Sequence, residues 1–287
     1  MKGIQMNIHD FIKKKSDNIK IKTITCYDYT SARIIASTDI DMILVGDSVA
    51  NTIHGHIDTT TADINMLSLH TKAVKTALLE ENSKIFLVSD LPFMYNRGSL
   101  DRLVKSSTQL IQNGANAIKI EGGDKYNCNS IKHLIGSGIP IMGHIGLTPQ
   151  FVNTIGGYKV QGKTEKQANE LLSQALRLED AGCFAIVLEC IPSDLAKKIS
   201  MNLSIPTIGI GAGADTDGQI LVIQDLLGMN KEFTPKFAKK YMNGYHLTYK
   251  AIQAYCDDVT NINFPKQEHS FIIQNEKNTE QSLAKLY

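Results

Sequence analysis

TEKQANELLSQALRLEDAGCFAIVL, residues 164–188, decides the fold. From Thr164 to Asp180 the apolar residues Ala168, Leu171, Leu172, Ala175 and Leu176 recur at helical spacing, and Ala181-Gly182 supplies the stop. Directly behind it, Phe184–Leu188 is a short apolar run holding the β-branched pair Ile186 and Val187, and it reads as a strand. A helix that feeds a buried strand belongs to a βα repeat around a parallel sheet.

The same rhythm extends in both directions. Strands are expected at Ile21–Tyr27, Met42–Gly46, Lys84–Ser89, Asn116–Ile120, Ile139–Gly143, Phe184–Leu188 and Pro206–Ile210, with a weak eighth around Lys236–Lys239. Helices are expected over Ser31–Ser37, from Asp63 to Glu81, from Ser99 to Gly114, through Ile131–Leu134 and over Thr164–Asp180. Eight such units without a linker imply a closed (β/α)8 TIM barrel filling residues 1–263 as one domain. The amphipathic segment Ile8–Lys15 is an N-terminal helix placed to cap the barrel floor. Residues 264–287 read as a polar, charge-mixed tail, loosely attached.

Composition excludes several function classes. The chain of 287 residues carries 30 basic and 29 acidic side chains, a formal net charge of +1. No excess positive field exists for a nucleic-acid backbone, and no charge run suits a membrane tether. The longest apolar stretches, such as Cys183–Leu188, fall far short of the ~20 residues that span a bilayer. The N-terminus has no continuous apolar segment of the signal-peptide kind. The five cysteines (Cys26, Cys128, Cys183, Cys190, Cys256) show neither CxxC nor finger-like spacing, so buried reduced thiols and a cytoplasmic protein are expected.

In such a barrel the chemistry collects at the C-terminal ends of the strands. Here those ends carry Asp47-Ser48, Asp90, Lys119 with Glu121, His144, and Glu189. One acid behind a strand is commonly the N-cap of the next helix, and Asp28, next to Tyr29-Thr30-Ser31, fits that role. Four acids on four strands are hard to explain as caps. Converging on one rim they repel, unless a cation or raised pKa values relieve them. A carboxylate cluster without paired cysteines calls for a hard divalent ion, Mg²⁺ before Zn²⁺. Such an ion can chelate a 2-oxo acid and acidify the adjacent C–H. Lys119 and Glu121, two apart on one strand, face the same side.

Other features remain open at this level. Gly209-Ile210-Gly211-Ala212-Gly213 is either a phosphate cradle or a tight turn. His54 and His56 form an HxH pair with no third ligand beside them, which favours a loop role. His133 falls on a helix. His144 is a further candidate for function.

With these residues in place, the chain resembles the ketopantoate hydroxymethyltransferase family. The matching blocks are TITCYDYTSA, MILVGDSVA, VSDLPFM, AIKIEGG, IMGHIGLTPQ with GGYKVQGK behind it, VLECIP and IPTIGIGAGADTDGQILV, in order from about Lys22 to Tyr241. EHSF near the end also matches. The resemblance implies a barrel of the phosphoenolpyruvate/pyruvate type. It implies transfer of a one-carbon unit from the co-substrate 5,10-methylenetetrahydrofolate to 3-methyl-2-oxobutanoate, by Mg²⁺-assisted enolate formation. The product is 2-dehydropantoate, on the route to pantothenate and coenzyme A. The family assembles as a decamer of two pentameric rings. Carried over by motif, Asp47, Asp90 and Glu121 match metal ligands. Asp47, Ser48, Asp90 and Lys119 match residues that bind the keto acid, and Glu189 matches the proton acceptor.

The chain departs from the family pattern at IDTTTADINML (residues 57–67), which lacks a proline, and it extends beyond Phe271. Two rival readings use the same residues: a Mg²⁺-dependent carbon–carbon lyase on a related barrel, and a non-catalytic barrel that binds a phosphorylated ligand through GIGAG.

Overall fold

The computed structural model describes residues 6–272. Eight parallel strands close in sequence order, and the last pairs with the first. They are β1 Ile21–Thr25, β2 Met42–Val45, β3 Phe86–Asp90, β4 Ala117–Glu121, β5 Ile141–Gly146, β6 Ala185–Glu189, β7 Thr207–Ile210 and β8 Gly218–Leu221. The helices are α1 Ile8–Ser16, α2 Tyr29–Ala36, α3 Val49–Thr52, α4 Ile64–Glu80, α5 Leu100–Gln112 and α6 Lys125–Gly136. They continue with α7 Val152–Ile155, α8 Glu165–Asp180, α9 Ser193–Asn202, α10 Ile223–Leu226 and α11 Gly244–Thr260.

Strand pleating separates two apolar layers. Met42, Leu44, Phe86, Val88, Ala117, Met142, Val187, Ile208 and Ile220 fill the barrel interior. The alternate residues Ile43, Val45, Leu87, Ile118, Ile120, Ile186 and Leu188 pack outward under the helices. On β4, Ala117 faces in and Ile118 out, so Lys119 and Glu121 face in, towards the barrel mouth.

Capping chemistry fixes the helix starts. Asp28, Asp63 and Ser99 each accept a backbone N–H in the first turn of α2, α4 and α5. Thr164 and Gln167 form a capping box on α8. Asp28 is therefore the cap expected of it. At the floor, α1 inserts the buried Phe11 edge-on to Phe86, with centroids 5.2 Å apart, and beside Phe184 at 6.1 Å. Lys14 to Asp41 at 2.8 Å and Lys15 to Asp217 at 2.9 Å pin the helix down. The segment does cap the floor.

The eighth strand is a correction: it is Gly218–Leu221, and Lys236–Lys239 lies in irregular chain. The link from β7 is the turn 211–217, with no helix in it, so strict βα alternation stops at β7. Gly218 is required there because an added Cβ would stand 2.5 Å from the Ile21 carbonyl oxygen. The long helix α11 was also not expected, and its apolar side chains Tyr245, Leu247, Tyr249, Ile252 and Tyr255 are exposed. Cys256 on α11 is exposed as well, against the expectation of buried thiols, whereas Cys26, Cys128 and Cys183 are buried. Of the tail expected over 264–287, residues 273–287 lie outside the described residues. Phe264 packs against Tyr255, with centroids 5.8 Å apart. Among the described residues no helix is long and apolar enough to cross a membrane.

Candidate active site

A cavity of about 640 Å³ opens at the C-terminal mouth of the barrel. All seven side chains singled out from the sequence line it: Asp47, Ser48, Asp90, Lys119, Glu121, His144 and Glu189. The strands bring them there: Asp90, Glu121 and Glu189 end β3, β4 and β6, Lys119 and His144 stand two residues before the ends of β4 and β5, and Asp47 and Ser48 follow β2.

Asp47, Asp90, Glu121, Lys119 and His144 are all buried. The Asp47 backbone N–H donates to Asp90 Oδ2 at 2.8 Å. Gly46 leaves room for Ser48, since an added Cβ would lie 2.8 Å from its Oγ. Lys119 Nζ sits 2.8 Å from Asp90 Oδ1 and 3.5 Å from Glu121 Oε1. His144 bridges two acids, with Nδ1 3.2 Å from Glu121 Oε1 and Nε2 3.3 Å from Glu189 Oε2. Lys119 Nζ is also 3.3 Å from His144 Nδ1. The Glu189 carbonyl accepts from the Leu147 N–H at 2.8 Å. Gly146, at φ +97°, allows that contact, since a Cβ there would meet the same carbonyl oxygen at 2.2 Å.

Charge dominates the site. Burial, then the neighbouring charges of Asp90 and Glu121, hold the Asp47 carboxyl well above its ordinary pKa, and Lys119 and Gln150 only partly offset this. Burial also raises Asp90, against the pull of Lys119. At Glu121 burial is outweighed by His144 and Lys119, and the net direction is down. Burial lowers the pKa of the Lys119 ammonium, but Asp90, Glu121 and Asp47 outweigh it and the net shift is up. Burial and Lys119 lower that of His144, yet Glu121 and Glu189 carry it up to about 9. Three buried carboxylates thus face one ammonium and one imidazolium, with Asp47 the least compensated.

The donor set fits a hard cation. Asp90 Oδ1 and Glu121 Oε1 have no aligned hydrogen-bond donor, despite the nearby charges of Lys119 and His144. Burying such atoms is costly unless something else satisfies them. Among the described residues, no three His, Cys, Asp or Glu side chains close on one point at metal-holding distance. A Mg²⁺ ion would suit this, because it commonly keeps several of its waters and takes only one or two carboxylates directly.

Two site residues escaped the sequence reading. Gln150, buried, donates from Nε2 to Asp47 Oδ2 at 2.9 Å and to the Leu91 carbonyl at 3.0 Å, and its backbone N–H donates to Glu121 Oε2 at 3.1 Å. Tyr27, also buried, meets Ser48 Oγ through its hydroxyl at 2.7 Å, and burial pushes its phenol up to about 12. Both lie in quoted motifs, GHIGLTPQ and TITCYDYTSA, but a polar residue in a turn gives no sign of where it will point. The GIGAG segment is explained by turn geometry: Gly211 and Gly213 have φ of +63° and +81°, and a Cβ at Gly213 would meet Ser193 at 2.6 Å. His133 is exposed on α6.

A family model described as ketopantoate hydroxymethyltransferase matches residues 5–267. A protein of Legionella pneumophila (strain Paris) is 53% identical over 266 residues, covering 93% of this chain and 100% of its own length. One of Francisella tularensis subsp. novicida (strain U112) is 52% identical over 261 residues, covering 91% and 97%. Both carry the name 3-methyl-2-oxobutanoate hydroxymethyltransferase. Among solved structures, 2,3-dimethylmalate lyase, a PEP mutase/isocitrate lyase superfamily member, superposes with a TM-score of 0.59 at 16% identity, covering 96% of this chain and 89% of that one. Phosphonopyruvate hydrolase in complex with oxalate and Mg²⁺ superposes with a TM-score of 0.56 at 11% identity, covering 92% and 93%. These likenesses are of fold: a closed (β/α)8 barrel, as expected.

Proposed function

The chain belongs to the ketopantoate hydroxymethyltransferase family, and we propose that its barrel mouth performs that reaction, with the site residues in the roles given below. The methylene carbon of 5,10-methylenetetrahydrofolate is transferred to 3-methyl-2-oxobutanoate, and water supplies the hydroxyl oxygen, giving 2-dehydropantoate and tetrahydrofolate. The observation that carries the assignment of roles is the position of Glu189. It lines the same cavity as the Asp47, Asp90 and Glu121 carboxylates and is joined to them through His144.

Asp47, Asp90 and Glu121 would hold Mg²⁺, directly or through its waters. When bound, the ion polarises the 2-oxo group and makes the neighbouring C–H acidic. Lys119 and Ser48 orient the keto acid, the first by charge and the second by a hydroxyl that Tyr27 fixes. Glu189 accepts the proton from C3. C3 bonds to the methylene carbon of the folate as that carbon's bond to one folate nitrogen breaks, and water then replaces the second nitrogen, leaving the hydroxymethyl group and tetrahydrofolate. The His144 imidazolium, 3.3 Å from Glu189 Oε2, stabilises the carboxylate and limits its rotation. Gln150 holds Asp47 and Glu121 in register across the cavity.

Residues 1–263 form the catalytic domain, and 264–287 the tail. The exposed apolar side chains of α11 support a homo-oligomer, and the family resemblance favours a decamer. The free cysteines support a cytoplasmic location. The decisive assay combines 3-methyl-2-oxobutanoate, methylenetetrahydrofolate and Mg²⁺, with EDTA as the control. Product that requires all three and disappears with EDTA is expected. Turnover without folate, or cleavage of the 2-oxo acid, overturns the reading in favour of a lyase.

A further inference from the structure

The HxH pair of the sequence finds its partner on another element. His54 does not close on His56, whose ring is stacked with its own at 6.3 Å between centroids. Instead His54 Nε2 lies 2.9 Å from Nε2 of His70 on α4, with the rings at 81°. The other nitrogen of His70, Nδ1, is 2.5 Å from the Tyr27 carbonyl oxygen.

That carbonyl can only accept, so Nδ1 of His70 carries the proton. In neutral His70 the Nε2 lone pair is therefore the acceptor, and it takes a hydrogen bond from His54 Nε2–H at 2.9 Å. This is the orientation that a carbonyl behind a histidine imposes on a metal ligand. Two imidazole nitrogens bound to one ion at 2.0–2.1 Å stand about 2.9–3.4 Å apart, depending on the bond angle. The observed spacing falls at the short end of that range. His54 becomes a ligand when its Nε2 proton moves through solvent to its own Nδ1, so binding to the neutral pair releases no net proton.

From this geometry we infer that His54 and His70 form a two-imidazole site for a borderline divalent transition ion such as Zn²⁺, Cu²⁺ or Ni²⁺. It is separate in place and in donor type from the oxygen-lined mouth. Nitrogen donors select such ions over Mg²⁺. Water fills the remaining positions, since among the described residues no third His, Cys, Asp or Glu side chain closes on the pair. The site ties the rim loop 53–58 to α4, between Asn51 and Thr59, which both line the cavity. It is also connected to the keto-acid pocket, because the Tyr27 whose carbonyl holds His70 also holds Ser48.

The test is Cu²⁺ titration of the full chain in excess Mg²⁺, read by electron paramagnetic resonance. One ion showing hyperfine coupling to two imidazole nitrogens is expected. His54→Gln, a change at an exposed position, removes one nitrogen and weakens binding by at least about tenfold, whereas His56→Gln leaves both signals intact. A two-nitrogen spectrum that survives His54→Gln, or one that His56→Gln abolishes, overturns the assignment. So does the absence of any site that distinguishes the native chain from His54→Gln.

Discussion

Lys119 Nζ stands 2.8 Å from Asp90 Oδ1 inside the barrel mouth, with both side chains almost sealed from water. Burial alone would neutralise both groups, yet the geometry keeps the lysine charged because Glu121 and Asp47 stand behind Asp90. The ammonium offsets the mutual repulsion of Asp47, Asp90 and Glu121, which would otherwise have only His144 to compensate it.

Lys119→Met keeps the length and removes the charge. Breaking a buried pair costs about 3–5 kcal/mol, so the variant unfolds at markedly lower urea at neutral pH. Asp47 and Asp90 have raised pKa values in the folded state, so they bind protons more readily there than in the unfolded chain. Their contribution to stability therefore grows as pH falls towards the ordinary carboxylate range. The deficit of the variant, measured by urea unfolding, should narrow at pH 5 relative to pH 7.5.

His144 works in the opposite sense. Its pKa is raised from 6.5 to about 9 on folding. Its stabilisation is complete below 6.5 and is lost as pH rises through 9. The shift corresponds to roughly 3 kcal/mol. In His144→Asn, the fall in thermal stability between pH 6.5 and 9 should flatten.

Glu189→Gln removes the proton acceptor while keeping its shape. Exchange of the C3 proton of 3-methyl-2-oxobutanoate in D₂O should slow by about 10²–10⁴-fold. Near-normal exchange would remove Glu189 from that role.

Gln150→Leu leaves Asp47 Oδ2 without its donor and retains the backbone N–H to Glu121. Loss of such a supporting hydrogen bond lowers metal affinity by about 10–100-fold. Activity titrated against Mg²⁺ should shift to higher concentration, with most of the maximal rate recovered at saturation.

Phe11→Ala empties the barrel floor beneath Phe86 and Phe184. A cavity of that kind costs about 3–5 kcal/mol. Stability to urea should fall by this amount, while the Michaelis constants of the surviving folded enzyme stay unchanged, because the floor and the mouth are opposite ends of the barrel.

Much of this was legible in the chain because apolar runs followed by an acid mark both a strand and the rim. Asp28 could be told from Asp47 only in part by sequence, because each follows a buried strand and stands just ahead of a helix, α2 and α3 respectively. The eighth strand was illegible because Gly218-Gln219-Ile220-Leu221 is short and follows a glycine-rich turn where a helix was expected. The helical spacing of Tyr245, Tyr249, Ile252, Cys256 and Val259 is present in the sequence. Gln150 and Tyr27 could not be read at all, because their partners are set by turns that only the closed barrel brings into place.

Barrel closure pairs Ile21 with Gly218 and Ile24 with Leu221, and Lys15 reaches across to Asp217. During synthesis, then, the first strand made waits for the last. Until Leu221 has left the ribosome, the nascent sheet has two open edges, each with unpaired backbone groups able to capture another chain. A stop anywhere before that residue therefore yields an open, adhesive sheet rather than a smaller barrel. The short helix-free link from β7 shortens this exposed interval, because β8 follows β7 after only a turn.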